Sequence, residues 1–225
     1  SDVCSSDLVK SVTVNGTEKL TYAYDNLARM YQKTLKLSSD FTTSLQFVSA
    51  SNGIDTTSLI SRITNGSNYI SYTYDKNGNI LTISENGVPK VTYTYDNLNQ
   101  ITRENNIYLA DTNYPGGKTI TYTYDFGGNI TSKKVYQYID AEDISGLTYD
   151  DNIYNYAYDG RTPPTGANTT WKDLLTTYEK DNVNYNIDYD AIGNMTGIGT
   201  NWTFSWQNGR QLASTTKAGV VSSYK

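Results

Sequence analysis

A short motif, an aromatic residue, any residue and a second aromatic followed by aspartate, recurs along the sequence and constrains its fold more than any other feature. The copies end, in chain order, at Asp25, Asp75, Asp96, Asp125, Asp159 and Asp190, with a degenerate form, TFSWQ, ending at Gln207. The Asp190 copy, NIDYD, is also degenerate, since it keeps only its second aromatic. Because the intervals are irregular, the constant element is the local motif and not a repeat of fixed length.

The aromatic pair is typical of a β-strand. Residues i and i+2 of a strand share a face, so Tyr72 and Tyr74 are expected on one face, opposite Ser71 and Thr73. On neighbouring strands such rings would form ladders, each cross-strand pair adding about 0.2 to 1 kcal/mol. The other aromatics of the motif are Tyr22, Tyr24, Tyr93, Tyr95, Tyr122, Tyr124, Tyr156, Tyr158, Tyr189, Phe204 and Trp206.

The aspartate after each pair suits the first position of a tight turn. Its carboxylate can accept backbone N–H groups, and Gly78, three residues after Asp75, can take the positive φ that closes the turn. Gly128 and Gly193 hold the same place after Asp125 and Asp190, and Asn99 does so after Asp96.

Ala28, after Asp25, fits a positive φ poorly, so that turn is expected to differ or to carry strain. The residue after each glycine is predicted to begin the returning strand. These residues are Asn79, Asn129 and Asn194.

Further turns and strands complete an antiparallel pattern. Asn-Gly pairs, which favour tight hairpin turns, begin at Asn15, Asn65, Asn86 and Asn208. Residues 31–64 alternate without an Asp turn and predict one or two longer strands. Residues 160–185 begin as a Pro- and Gly-rich loop and continue as WKDLLTTYEKD, either a short helical turn or an irregular strand. The sequence therefore predicts an all-β fold of antiparallel hairpin repeats.

Composition and charge exclude several classes of function. The chain has 225 residues, 22 Tyr against 4 Phe, no His and a net charge of -5. This charge, with no basic run, argues against non-specific nucleic-acid binding. No apolar run approaches the roughly 18 to 20 residues of a membrane span, so no membrane insertion is expected.

The opening residues, SDVCSSDL, fit nothing that follows. They resemble translated adapter sequence, so residues 1–8 are predicted to be a non-native leader. This segment holds Cys4, the single cysteine. Residues 9–225 are predicted to be the repeat array, with any signal peptide upstream and with the array continuing beyond the last residue.

The sequence offers little for catalysis, and no enzymatic activity, cofactor or metal is predicted. Without His there is no Ser-His-Asp arrangement. Paired carboxylates could hydrolyse glycosides, but an aspartate at every turn is better explained by the turn itself. The DKNGN stretch at Asp75 resembles a calcium loop superficially, yet it lacks the second carboxylate and the bidentate glutamate.

The aromatic residues leave one alternative open. Exposed Tyr and Trp can stack on sugar rings, and Trp171, Trp202 and Trp206 are the candidate stacking residues. Packing against a wall or core is the favoured interpretation, because the paired tyrosines occupy the face that a sheet uses for packing.

The repeated motifs resemble the YD repeats of bacterial RHS proteins, which are related to those of animal teneurins. The resemblance is carried by YTYDKNGNIL, YTYDNLNQITRE, YTYDFGGNITSK and YDAIGNMT with WTFSWQNGRQLAS. It implies a long antiparallel sheet that spirals into a hollow shell, enclosing a C-terminal toxin in bacterial members and serving adhesion in teneurins. The self-cleaving Asp-Pro motif of bacterial members has no counterpart here.

The resulting expectation is a non-enzymatic structural segment of a secreted or cell-surface RHS/YD-repeat protein. Its partners would be the flanking repeats and a C-terminal toxin or effector domain of the same chain. Contact with cell-surface glycans through Tyr and Trp is the alternative function.

Overall fold

The computed structural model describes residues 8–49, 56–150, 154–158, 174–180 and 182–224. The chain divides into two compact units, the first comprising Ser1–Thr94 and Asn106–Tyr108 and the second Tyr95–Asn105 and Leu109–Lys225. The candidate leader lies outside the described residues except for Leu8.

The first unit is a meander of eight strands, the last of which ends at the unit boundary. They are β1 Ser11–Val14, β2 Thr17–Tyr24, β3 Met30–Leu35, β4 Phe41–Ser49, β5 Thr56–Asn65, β6 Asn68–Tyr74, β7 Ile80–Glu85 and β8 Val88–Tyr95. Each pairs antiparallel with the next.

The second unit continues in the same way. Its strands are β9 Ile101–Asn106, β10 Lys118–Tyr124, β11 Ile130–Gln137, β12 Tyr154–Tyr158, β13 Leu175–Lys180, β14 Val183–Tyr189, β15 Met195–Ile198, β16 Trp202–Gln207, β17 Gln211–Lys217 and β18 Val220–Ser223. Strand β9 pairs with β10, and β10 to β18 pair consecutively and antiparallel.

The prediction of an all-β antiparallel fold is confirmed. In the described residues the helical structure is a single 3₁₀ turn, Ile107–Leu109, and no helix is long and apolar enough to cross a membrane. The ambiguous stretch near residue 175 is a strand, β13. Residues 31–64 hold most of three strands instead of one or two, because β3 is the returning arm of the Asp25 turn.

The Asn-Gly turns are mostly as expected. Both residues have positive φ at Asn15-Gly16 and Asn86-Gly87, the pattern of a two-residue type I′ hairpin. Asn208 and Gly209 also have positive φ, but their loop has three residues, because Gln207 pairs with Gln211. The fourth pair differs, because Asn65 ends β5 and pairs with Asn68. There the loop is Gly66-Ser67 with a positive φ at glycine alone, the pattern of a type II′ turn.

The hydrophobic core is thin. The described residues contain six buried hydrophobic side chains, Val91, Tyr114, Ile120, Val135, Tyr136 and Ile187. Most strand residues are instead partly exposed. The sheet is therefore stabilised mainly by its ladder of hydrogen bonds and by half-buried side chains along the strands.

Candidate functional site: the repeated aromatic pair and Asp turn

The Asp75 turn joins β6 to β7 through a closed set of hydrogen bonds. The N–H of Asp75 donates to the carbonyl of Asn79 at 2.9 Å, and that of Gly78 donates to the carbonyl of Asp75 at 3.2 Å. Oδ1 of Asp75 accepts the N–H groups of Asn77 at 2.9 Å and Asn79 at 2.8 Å. Oδ2 accepts the side-chain amide of Asn79 at 2.8 Å. Both carboxylate oxygens are thus used by the turn.

The same turn is built at other copies of the motif. At each, Oδ1 accepts the N–H groups two and four residues further on, for Asp25, Asp96, Asp125 and Asp190. Oδ2 accepts a side chain four residues on at three of them, from Arg29, Asn129 and Asn194. We call this element the Asp turn. Asp159 lies outside the described residues.

The third residue after each aspartate has the left-handed conformation that the turn requires. The φ angles are 60° at Ala28, 88° at Gly78, 63° at Asn99, 85° at Gly128 and 86° at Gly193. Ala28 was expected to change the turn or to strain it. The turn keeps its hydrogen bonds, so the strain lies in a left-handed alanine.

The hydrogen bonds of the Asp turn also lower the pKa of its aspartate. The Asn79 side chain is the largest influence on the pKa of Asp75, which lies below its ordinary value. The side chains four residues on lower the pKa of Asp25 and of Asp125 in the same way. At Asp190 burial raises the pKa, but hydrogen bonds, chiefly from Asn194, outweigh it, so that this pKa is also lowered.

The second aromatic of the pair is anchored to a neighbouring segment by its polar edge. The Tyr74 hydroxyl donates to the carbonyl of Ile60 on β5 at 2.7 Å. The equivalent bonds run from Tyr24 to Val9, from Tyr124 to Ile101, from Tyr189 to Leu175, and from the Trp206 indole N–H to Met195, at 2.6 to 2.9 Å. Burial raises the pKa of Tyr74 and of Tyr124, which keeps both hydroxyls protonated as donors.

This anchor was missed by sequence reasoning, which assigned the rings only to stacking. The signal for it was the preference for Tyr over Phe, 22 against 4, since only Tyr has a hydroxyl to donate. Trp206 fits the same rule, because its indole N–H replaces the hydroxyl.

A β-bulge lies immediately before the second aromatic at each copy whose register is known. On the β6–β7 pair Thr73 faces Thr82 but Tyr74 faces Ile80, so Leu81 is an extra residue. The register shifts immediately before the second aromatic also at Tyr24, Tyr124, Tyr158, Tyr189 and Trp206. A bulge bends its strand and increases local twist, so each copy carries its own bend beside the Asp turn.

The first aromatics form the expected contacts in part. The rings of Tyr72 and Tyr74 lie 6.5 Å apart, tilted by 33°. Tyr156 faces Tyr178 across β12 and β13, and Tyr178 faces Tyr185 across β13 and β14, with ring centroids 6.4 and 5.0 Å apart. A ladder of three rings therefore crosses these strands. Other aromatics of the motif, half-buried on their strands, are Tyr22, Tyr93, Tyr95 and Tyr122.

The candidate stacking tryptophans are engaged in packing. Trp202 lies parallel to Phe204 with centroids 5.9 Å apart, and the ammonium of Lys217 lies 4.9 Å from its ring centre. Trp206 is half-buried and donates to Met195 at 2.6 Å. These contacts favour a packing role for both. Trp171 lies outside the described residues.

Neighbouring turns on one edge of the sheet contact each other in the second unit. The Asn194 side chain, which closes the Asp190 turn, also donates to the carbonyl of Gly209 at 2.6 Å. Arg210 donates to the carbonyl of Ile192 at 3.3 Å. The Asp190 turn is thus tied to the next turn along the same edge as well as closed within itself.

The chemistry available to the Asp turn is structural. A general acid needs a pKa raised toward the working pH, whereas those of Asp25, Asp75, Asp125 and Asp190 are lowered. Within the described parts of the chain, no three or more Cys, Asp or Glu side chains are grouped to hold a metal ion. The observed arrangement closes a hairpin and holds its carboxylate ionised.

Comparison with known proteins finds solved structures that have a similar fold. Neither a family model nor a curated protein matches the sequence. Among solved structures, the TcdB2-TccC3 complex matches with a TM-score of 0.50 and 16% identity, and the same complex with Cdc42 with 0.51 and 17%. Each match covers 91% of this chain and 12% of the solved chain. A Photorhabdus luminescens Tc holotoxin pore matches with a TM-score of 0.49 and 17% identity, covering 87% of this chain and 11% of the other.

At these identities the likeness concerns the fold, and this chain spans about an eighth of the solved chains' length. The fold agrees with the resemblance carried by the YD motifs. The chain therefore has the fold of an RHS/YD-repeat segment.

Proposed function

We propose that residues 9–225 form a wall segment of a secreted or cell-surface RHS/YD-repeat protein, with a mechanical and non-enzymatic role. The observation that carries this proposal is the recurrence of one local assembly, the bulge, the anchored aromatic and the Asp turn, on the β2–β3, β6–β7, β10–β11 and β14–β15 hairpins. A catalytic or binding residue is needed once, whereas a wall needs the same bend many times along the chain.

The thin core supports the same role. A domain that folds around its own centre buries most of its large apolar side chains. In this chain the strands are half-buried, while hydroxyl anchors tie β6, β10 and β14 to a neighbouring segment. Such a sheet is suited to enclosing or supporting something else.

The proposed cargo, a toxin or effector domain, is based on the resemblance to bacterial RHS proteins. In bacterial RHS proteins the shell encloses a C-terminal toxin, and a solved chain that shares this fold belongs to a TcdB2-TccC3 complex. The partners would be flanking repeats and a toxin or effector domain of the same polypeptide.

Cryo-electron microscopy of the complete gene product tests this function. The expected result is a hollow β-wall that includes residues 9–225, with separate density inside it. A wall without a lumen, with every other domain outside, would overturn the enclosing role. Hydrolytic activity that is lost in a single Asp→Asn variant at one turn would overturn the non-enzymatic role.

A further inference from the structure

A groove in the second unit lies outside the repeated assembly. Residues 138–150, here called the strap, connect β11 to β12 and cross one face of β10 and β11. The cavity between the strap and this face, the strap groove, has a volume of about 480 Å³, within the range of small-ligand pockets, roughly 300 to 1,000 Å³.

The floor of the groove is a row of hydroxyl groups with one ammonium. Thr121 faces Lys134 and Thr123 faces Ser132 across the β10–β11 pair, and these four side chains line the groove. Because side chains alternate along a strand, this floor lies opposite the face that carries Tyr122 and Tyr124. The floor is therefore separate from the anchored tyrosines.

The strap is held in place at both ends. The N–H of Ile139 donates to the hydroxyl of Thr119 at 2.9 Å, and Thr119 is fully buried. At the other end the N–H of Asp150 donates to the carbonyl of Val135 at 3.1 Å. Ligand binding to a groove held open in this way costs little ordering of the protein.

Arg103 on β9 fixes the strap from a third direction. Its guanidinium donates to the carbonyls of Ile139 at 2.7 Å and Glu142 at 3.0 Å. The same side chain donates to Asn105 at 3.0 Å, which accepts the Thr119 hydroxyl at 2.9 Å. This hydrogen-bond network thus fixes the distance between the strap and the floor of the groove.

The strap contributes an apolar wall. Tyr149 is 39% exposed and meets Tyr136 edge to face with centroids 6.1 Å apart. The ammonium of Lys134 lies 4.9 Å from its ring centre. Leu147, 47% exposed, lines the same side. An accessible aromatic ring above a hydroxyl floor suits a ligand with one apolar face and several hydroxyl groups.

Two carboxylates complete the lining. Glu142 and Asp143 lie on the strap at the groove, and the N–H of Ser145 donates to Asp143 at 2.8 Å. This hydrogen bond lowers the pKa of Asp143 and keeps it ionised as an acceptor. With two anionic side chains against one ammonium, the groove disfavours an anionic ligand.

We propose that the strap groove binds a neutral carbohydrate. The sugar ring lies with its C–H face against Tyr149 and Leu147, and its hydroxyl groups bond to Thr121, Ser132 and the strap carboxylates. This site does not depend on the wall function, since a wall needs no groove, and it does not use the tryptophans.

Calorimetric titration of the full chain with maltotriose, cellotriose and chitotriose tests the proposal. We expect saturable binding of at least one of them with a Kd at or below about 1 mM. Tyr149→Ala is expected to weaken it by at least about tenfold, and Thr121→Val by a few-fold. Tyr149→Phe keeps the ring and retains binding.

Trp202→Ala is the matched control for a tryptophan platform and is expected to bind as the wild type does. The proposal is overturned if none of the three sugars binds, or if a folded Tyr149→Ala variant binds as tightly as the wild type, whatever the affinity of Trp202→Ala. Far-UV circular dichroism checks that each variant is folded. If Tyr149→Ala does not fold, Thr121→Val and Ser132→Ala decide, and unchanged affinity in both overturns the proposal.

Discussion

The hydroxyl of Tyr74 donates a hydrogen bond of 2.7 Å to the backbone carbonyl of Ile60 on the preceding strand. Tyr72, two residues earlier on the same face, lies beside it with its ring tilted by 33° but has no hydrogen-bond partner for its hydroxyl within the described residues. The two tyrosines of one motif therefore have different roles, one as a packed ring and the other as a cross-strand anchor.

Removing the anchor hydroxyl should destabilise the fold. Tyr74→Phe deletes the donor and leaves the Ile60 carbonyl without it, so we expect the free energy of unfolding to fall by about 1 kcal/mol. Tyr124→Phe should cost a similar amount through Ile101. Tyr72→Phe is the matched control, with little change expected. Urea denaturation followed by circular dichroism measures all three, and equal losses at Tyr72 and Tyr74 would contradict the distinction.

Two substitutions at equivalent turn positions should change the free energy of unfolding in opposite directions. Ala28 has a φ of 60° and Gly78 a φ of 88°. Ala28→Gly should stabilise the protein by roughly 0.5 to 1 kcal/mol, because relief of a left-handed alanine, about 1 to 2 kcal/mol, exceeds the entropic cost of glycine, about 0.5 to 1 kcal/mol.

The reverse change, Gly78→Ala, should destabilise by a comparable amount. A Cβ at Gly78 would meet Leu59 at 3.8 Å, an ordinary contact, so the effect reports backbone strain and not a clash. Thermal unfolding of both variants is the measurement. Effects of the same sign would show that the two turns are not equivalent.

Replacing Asp75 by alanine should destabilise the protein more than replacing it by asparagine. Asn keeps an oxygen that can accept the N–H groups of Asn77 and Asn79, but its amide faces the donor of the Asn79 side chain. We expect the midpoint of urea unfolding to fall for both variants, and further for Asp75→Ala. An unchanged midpoint of urea unfolding in Asp75→Ala would show that the Asp75 turn does not contribute to the stability of the fold.

The sequence predicted the strands, the Asp turns and the left-handed positions, because these depend on residues close in the chain. It did not predict the bulge at Tyr74 or the bond to Ile60, which depend on cross-strand register. Asn79 was read as the start of the returning strand, whereas its side chain closes the turn. The strap groove was not foreseen, since Thr121 and Tyr149 meet only through the path of the strap.

Acid should destabilise the protein through the turn aspartates. The pKa values of Asp25, Asp75, Asp125 and Asp190 are lowered in the folded chain, whereas an unfolded aspartate titrates near about 3.9. The unfolded state therefore binds more protons in this range. The stabilisation is complete above about pH 4 and is lost as pH falls through the folded pKa values.

Urea midpoints measured across this range give the test. Asp75→Asn is the control, and it should reduce the dependence on pH because three of the four aspartates remain. A midpoint that rises on acidification below about pH 4 would contradict the lowered pKa values.

Amide hydrogen exchange across the Asp turns is the decisive test of their role, because every described Asp turn has the same pair of hydrogen-bonded N–H groups two and four residues after the aspartate. The pairs are Leu27 and Arg29, Asn77 and Asn79, Leu98 and Gln100, Gly127 and Asn129, and Ile192 and Asn194. We expect protection of each pair in the native chain, and loss of protection at its own turn in each Asp→Ala variant. Fast exchange of these amides in the native protein, or protection unchanged in the variants, would contradict this role.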